Sequence, residues 1–516
     1  MNILIYNYKQ PEAGGGGVGV YSTNLARALR AAGHRVITMD AGDNYSFFHR
    51  NSVRLKAWHD KFDRISVLNS PMIAPFYSSW EEFGVYTTDS DLMPIPELLR
   101  LKFGEIDVFH FQNIEGLTKA FFLSLRVEFP AARLIYSAHN YSVICPQVDL
   151  WFQERQVCVD YRDGRNCTRC FPPRDSSAEM RAGRRRRTVV TFFNEHLPYL
   201  VDVKRSVMRF IRRRLTPAAA AMELDASTTE RPHDMFTKIN AEGPVFPFPT
   251  RDGDGKPYKD FRLANIEICA GTFNAVLAVS ERTRQVLLER GISPLNVHVS
   301  YIGTAHKAIF ANAIKITDMG GQLHIAYLGY MRNSKGFYLF LRALEQMPDV
   351  FARNIAITVA AKKKEDLAAY ERLVRIARRF ANFRYFDGFT HRSLDTVLQG
   401  VNLGIVPPIW EDNLPQVAIE MVSRGVPVLT SDRGGAQEIA DHPEFKFKAG
   451  SADALLERIE AFSAGHIPLA RFWERQTQIF SMEEHVEDLM QYYAPSTSLN
   501  EGSANISQTN EEATAF

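Results

Sequence analysis

The feature that most constrains how this 516-residue chain folds is a strand–helix rhythm that runs once, breaks off and starts again. Asn2–Tyr6 reads as a buried strand, followed by a glycine-rich loop, an amphipathic helix from about Val18 to Ala32 and a second strand, His34–Met39. Asp107–Phe111, Arg133–Ser137, Ala275–Val279 and Asn296–Tyr301 continue the series, with helix Glu281–Glu289 between the last two. Strands separated by helices pair in parallel, which predicts a doubly wound α/β sheet. The pattern restarts at His324–Tyr327, Ile355–Val359, Arg384–Phe386, Leu403–Val406 and Val426–Ser431, with a helix Gln416–Arg424 stopped by Gly425. Two α/β domains are expected, 1–307 and 308–466, hinged near Gly303–Lys307. Residues 173–262 break the rhythm and read as an insertion in the first domain. The tail 495–516, poor in aliphatic residues, reads as disordered.

Length alone exceeds what one hydrophobic core usually supports. With 61 Lys plus Arg against 59 Asp plus Glu, the net charge of +2 gives no general case for nucleic acid as a partner. No apolar run approaches the roughly 18 residues that cross a bilayer. The opening Met1–Tyr6 shows no basic n-region or small-residue cleavage site. A cytoplasmic protein is expected, able to visit the inner face of the cell membrane.

Two stretches carry candidate chemistry. Gly14-Gly15-Gly16-Gly17-Val18-Gly19 matches G-x-G-x-x-G, and Asp40 ends the next strand where a ribose-binding acid would stand. This admits a nicotinamide-dependent oxidoreductase. In that fingerprint, however, the first glycine follows the strand at once, whereas Asn7–Ala13 intervene here. The loop better suits a bulky ligand resting on backbone N–H groups, although plain flexibility reads the same way. The second stretch, Trp410–Glu420, places Asp412 and Glu420 eight residues apart around a helix start. Glu420 can accept hydrogen bonds from a ribose diol and Asp412 from hexose hydroxyls, while backbone N–H groups near Leu414–Gln416 can meet a diphosphate. A solvated helix start with an acidic first turn has the same appearance.

Arg424-Gly425-Val426-Pro427-Val428 and Gly434-Gly435-Ala436-Gln437-Glu438, following that acid pair, resemble the donor-site signature of glycosyltransferase family 4. Leu328-Gly329-Tyr330-Met331-Arg332-Asn333-Ser334-Lys335-Gly336 resembles the family's diphosphate-binding loop. Ser137–Tyr141, Val279-Ser280-Glu281 and the helix from Phe480 to Tyr493 extend the resemblance over most of 1–172 and 265–494. It implies a GT-B fold: two Rossmann-like domains facing a central cleft, with 467–494 returning to the first domain. It also implies retaining, metal-independent transfer of a hexose from a nucleoside-diphosphate sugar. The acceptor would be a glycan or lipid-linked molecule in cell-surface polysaccharide or glycoconjugate synthesis. The implied catalytic residues are His139, Arg332, Lys335 and Asp412. The implied donor contacts are Gly16, Gly17, Gly329, Asn413, Leu414, Pro415, Glu420, Gly434, Gly435 and Glu438. The chain departs from the family in having Asp412 where Glu is usual and Tyr330 where Arg is common. An epimerase of the same fold, an NAD(P)-dependent oxidoreductase and a silent nucleotide-sugar-binding homologue are the rival readings.

Two further clusters stand outside that scheme. Cys145, Cys158, Cys167 and Cys170 fall within 26 residues. Cys167-x-x-Cys170 has metal-ligand spacing, so a structural zinc competes with free buried thiols. Residues 174–214 hold twelve Arg or Lys against four Asp or Glu, interleaved with aromatic and aliphatic residues. That mixture suits an anionic membrane surface, or else a solvated helical excursion.

Overall fold

The computed structural model describes residues 1–9, 16–41, 45–46, 52–59, 63–72, 83–153, 155–170, 182–183, 185–186, 239–240, 243–244, 253–439, 441–475 and 479–494. The basic stretch 174–214, most of the expected insertion and the tail beyond 494 thus lie, short pieces apart, outside the described residues. None of the helices described is long and apolar enough to cross a membrane.

The first sheet has eight strands: β1 Asn2–Tyr6, β2 Arg35–Asp40, β3 Arg54–His59, β4 Asp63–Leu68, β5 Val108–Phe111, β6 Arg133–Ala138, β9 Ala275–Ala278 and β10 Val297–Val299. A small hairpin, β7 Trp151–Phe152 with β8 Gln156–Val157, stands apart from it. The order β10-β9-β6-β5-β1-β2-β4-β3 is parallel except for the β3–β4 pair. Sequence reading missed that antiparallel edge, because Arg54–His59 alternates charged and apolar residues like a solvated segment.

The second sheet comprises β12 Leu323–Leu328, β13 Ile355–Ala361, β14 Asn382–Asp387, β15 Leu403–Val406, β16 Val428–Ser431 and β17 Lys446–Phe447, all parallel, in the order β14-β13-β12-β15-β16-β17. Between the two sheets, β11 Gly303–Thr304 pairs with β18 Phe480–Ser481.

Strand faces explain the core. Ile3 and Ile5 join α1, Gly16–Ala31, in a cluster that continues through the second domain. Leu4 and Tyr6 point to the opposite face and join the aromatic cluster of Phe109, Phe111 and Phe122. The helix α7, Met482–Tyr493, starts with a capping box of Ser481 and Glu484 and lies back on the first domain. There Tyr493 Oη meets His110 Nδ1 at 2.6 Å, and Arg133 Nε donates to the Tyr492 carbonyl at 3.1 Å.

The strand order reverses between β1 and β5 in the first sheet and between β12 and β15 in the second. Ligand crevices in doubly wound sheets form at the carboxyl ends of strands beside such reversals. In this chain the two crevices face each other.

Candidate active site

A cleft of about 440 Å³ lies where the carboxyl ends of β12 and β15 meet the first domain. Gly17, His139, Val279 and Ile302 line it from one side, and Gly329, Lys335, Lys362, Glu365, His391, Trp410, Asp412–Gln416 and Glu420 from the other. Of the residues expected to act together, the fold therefore gathers Gly17, His139, Gly329, Lys335, Asp412, Asn413, Leu414, Pro415 and Glu420.

Lys335 follows β12 in a turn closed by Gly336, whose φ of 75° brings its backbone against the Pro407 carbonyl. Its ammonium donates to Asp412 Oδ2 at 2.6 Å and sits 4.6 Å from the centre of the Trp410 ring. Trp410 Nε1 donates to the same carboxylate oxygen at 3.1 Å. Asp412 is 5% exposed, so its buried carboxylate meets these two donors at the cleft floor while Lys335 stays partly open to solvent. Glu420 sits one helix turn into α6, Gln416–Val422. Its Oε1 lies 3.2 Å from His391 Nδ1 and 4.0 Å from His306 Nε2, while its Oε2 is buried with no partner among the described residues. A buried carboxylate oxygen left bare costs free energy unless a ligand hydroxyl completes it.

His139 follows β6 in the opposing wall. Its Nε2 bonds to Gln112 Oε1 at 2.8 Å, and its ring packs 4.6 Å from that of Tyr21. Desolvation, assisted by nearby His485, pushes its pKa down to about 3, so the imidazole is neutral at physiological pH. With Nε2–H donating to Gln112, the other nitrogen is an acceptor suited to a sugar hydroxyl.

Several expected residues sit elsewhere. Arg332 does not line the cleft; its guanidinium stacks 4.8 Å from the ring of Tyr330, which does. Glu438 caps a helix of the other domain. Its two oxygens accept the backbone N–H groups of Glu281 and Arg282 at 2.8 and 2.7 Å, and the Tyr301 hydroxyl at 2.8 Å. These are orphan donors at the start of α4, Glu281–Glu289. Gly434 and Gly435 press backbone to backbone against Asp412 and Asn413, and the Gly435 N–H donates to the Asp412 carbonyl at 2.7 Å. They shape the acidic loop from behind. Gly16 opens α1, so Gly16–Gly19 form its first turn and not a free loop. Asp40 is 2% exposed and accepts from Ser66 Oγ at 2.8 Å, which places the nicotinamide candidate's acid inside the sheet. The four cysteines lie away from the cleft.

Sequence reading missed the contacts that hold the two walls together. Arg282 grips Glu411 through Nε–Oε2 at 3.0 Å and Nη2–Oε1 at 2.9 Å, and Gln416 Nε2 donates to the Gly17 carbonyl at 3.1 Å. Nothing local marks these partners, which are more than 100 residues apart. It also missed His391 and His306, which stand on segments without motif character.

The His391–Glu420 pair gives the site a pH signature. Glu420 raises the His391 pKa above its ordinary value, against partial burial and the opposing charge of Arg424. A raised folded-state value means the pair contributes stability below the unfolded pKa of about 6.5 and loses it as pH rises through the folded value. Thermal melts of wild type and His391→Gln are expected to diverge near pH 5.5 and converge by about pH 8.5. A difference that stays constant across that range would remove the pair from the site's electrostatics.

Residues 322–464 match a family model described as glycosyl transferases group 1. The whole chain superposes on sucrose-phosphate synthase from Thermosynechococcus elongatus at 16% identity, covering 95% of this chain and 98% of that one, with a TM-score of 0.54. It also superposes on the HepE protein of Anabaena in complex with UDP at 10% identity, covering 95% and 100% of the two chains, with a TM-score of 0.52. No curated protein matches by sequence. Identities this low establish the fold alone, and the fold is GT-B. The second domain of this GT-B protein is the part that carries the group 1 glycosyl transferase match.

Proposed function

We propose that the protein is a retaining glycosyltransferase of the family 4 type, which moves a hexose from a nucleoside-diphosphate sugar to a glycan or lipid-linked acceptor. The observation that carries this reading is the bare Oε2 of Glu420 in a cleft whose floor also holds Lys335. A carboxylate with one free oxygen suits a ribose diol, and an ammonium beside it suits a diphosphate. Lys335 would stabilise the charge that develops on the departing nucleoside diphosphate. Asp412, with Oδ2 committed to Lys335 and Trp410, would turn Oδ1 to the hexose, and neutral His139 would accept a hexose hydroxyl from the far wall. The cleft's carboxylates are Glu365, Asp412 and Glu420. Glu365 accepts the Met331 N–H at 2.9 Å, and the other two are engaged as described. With Glu365 tied to Met331, Glu420 turned to the ribose and Asp412 to the hexose hydroxyls, this reading leaves no acid to attack the sugar, which suits a same-face transfer assisted by the leaving phosphate.

HepE of Anabaena, bound to UDP in its structure, supports UDP-sugars as the first donors to test. The basic segment 174–214 would bring such an enzyme to an anionic cytoplasmic membrane face, where lipid-linked acceptors reside. Thermal shifts with UDP-, GDP- and ADP-sugars should reveal the donor. Nucleoside diphosphate release should then require an added acceptor sugar. Turnover is expected to persist in EDTA during a short assay, since Lys335 takes the place of a divalent ion at the leaving group. Loss of turnover restored by Mg²⁺ or Mn²⁺ alone, with the fold intact, would overturn the metal-independent mechanism.

A further inference from the structure

We propose that Cys145, Cys158, Cys167 and Cys170 bind one structural zinc ion, which staples the turn after His139 to the neck of the segment between Cys170 and Gly253. The fold brings the four together around the β7–β8 hairpin. The Leu150 carbonyl accepts the Cys158 N–H at 2.7 Å. Cys170 Sγ lies 3.8 Å from the Trp151 carbonyl and accepts from Gln147 Nε2 at 2.9 Å. Cys167 and Cys170 are three residues apart in α2, Arg165–Cys170, which puts both thiols on one face.

Charge supplies an independent reason. Four thiolates on Zn²⁺ leave a net charge of −2, and two arginines face the cluster. Arg262 stacks 4.2 Å from the Tyr161 ring and donates to the Arg290 carbonyl at 2.9 Å; Arg290 donates to the Cys158 carbonyl at 3.1 Å. Arg262 forms no ion pair with a carboxylate among the described residues, although burial lowers its pKa. A zinc tetrathiolate would provide the missing negative charge.

The backbone agrees. Val148, Leu150, Gln153, Arg162 and Asp163 all have φ between 48° and 68°. Such conformations persist only where the surroundings hold them. All five cysteines are free of disulfides. Among the described residues the group with three ligand atoms within 4.8 Å of one another is His306, His391 and Glu420, so the thiols are gathered without being at ligand spacing. Tetrahedral coordination with Zn–S of about 2.3 Å needs sulfurs roughly 3.8 Å apart. A change of χ1 rotamer moves a thiol sulfur by about 3 Å.

The site's position gives it a task. The Cys145 N–H donates to the Tyr141 carbonyl at 2.8 Å, and the Tyr141 N–H to the Val148 carbonyl at 2.8 Å, so the cluster fixes the turn that leaves His139. On its other side the Gly253 N–H reaches Thr168 Oγ1 at 3.4 Å, between the two α2 cysteines.

The test is elemental analysis of full-length protein purified without chelator, which should show about one zinc per chain. A mercurial thiol reagent should release that zinc into a chromogenic chelator. Exchange with cobalt(II) should give the intense visible bands of tetrahedral thiolate coordination. Cys167→Ser/Cys170→Ser should lose the metal while Cys269→Ser keeps it. Should the double variant fail to fold, stripping zinc from wild type should lower Tm, and zinc alone should restore it. Folded wild type that holds no zinc after growth in zinc-supplemented medium would overturn the proposal. So would a mass deficit from disulfide formation, or metal that survives loss of both α2 cysteines.

Discussion

Lys335→Ala is expected to lower kcat/KM by about two to three orders of magnitude, the usual effect of removing one preorganised group that stabilises a leaving charge. The loss should fall mainly on kcat, because the charge on the departing diphosphate grows in the transition state. Among the described residues the side chain is tied to Asp412 and the Trp410 face, so the variant should fold. Some stability should nevertheless go, since Asp412 keeps only Trp410 Nε1 as its partner there. Steady-state kinetics with a saturating acceptor would check this. An unchanged kcat in a folded variant would refute Lys335 as the group that meets the leaving phosphate.

Gly435→Ala is expected to be nearly as damaging, though it touches no ligand. A Cβ there would run into the Asn413 carbonyl and come within 2.8 Å of Ser280 Oγ in the other domain. A backbone carbonyl cannot swing aside like the end of a long side chain. Either Asp412–Asn413 shifts or the domains part. Overpacking of this kind costs about 1–3 kcal/mol, and a misplacement of about 1 Å near the chemistry can cost about a hundredfold in rate. Calorimetric donor titration should show weakened binding alongside a lower Tm. Gly271→Ala, with nothing within 4 Å of its Cβ among the described residues, is the matched control. Equal donor affinity in both variants would mean that the glycine pair does not shape the acidic loop.

The sequence made legible whatever is encoded locally. Strands such as Leu403–Val406, and helix Glu281–Glu289, came from apolar period and caps, and they fall where the structure has them. Asp412 and Glu420 are legible from their spacing around a helix start, whereas Lys335 is legible only through the family resemblance. Position in a loop does not say where a side chain turns, and the Arg332 guanidinium lies against the Tyr330 ring, outside the cleft lining. Glu438 was assigned to a ligand because its partners, two N–H groups of α4, come from a helix more than 150 residues earlier. Charge type was readable there, but the object that satisfies the charge was not.

The docking of α7 bears on the order in which the protein can be made. His110, in the middle of the first sheet, has Ser137 on one ring nitrogen and Tyr493 on the other, and the Tyr21 hydroxyl meets His485 at 2.5 Å. Two of these four partners belong to the last helix described. Domains ordinarily fold as they leave the ribosome, amino-terminal first. Here the amino-terminal half emerges hundreds of residues before the helix that closes its core. Until then His110 and Tyr21 each lack a buried partner and a sheet face stays uncovered, so chaperone demand should peak before synthesis reaches Met482. For the same reason a cut at the hinge would not yield two self-sufficient halves.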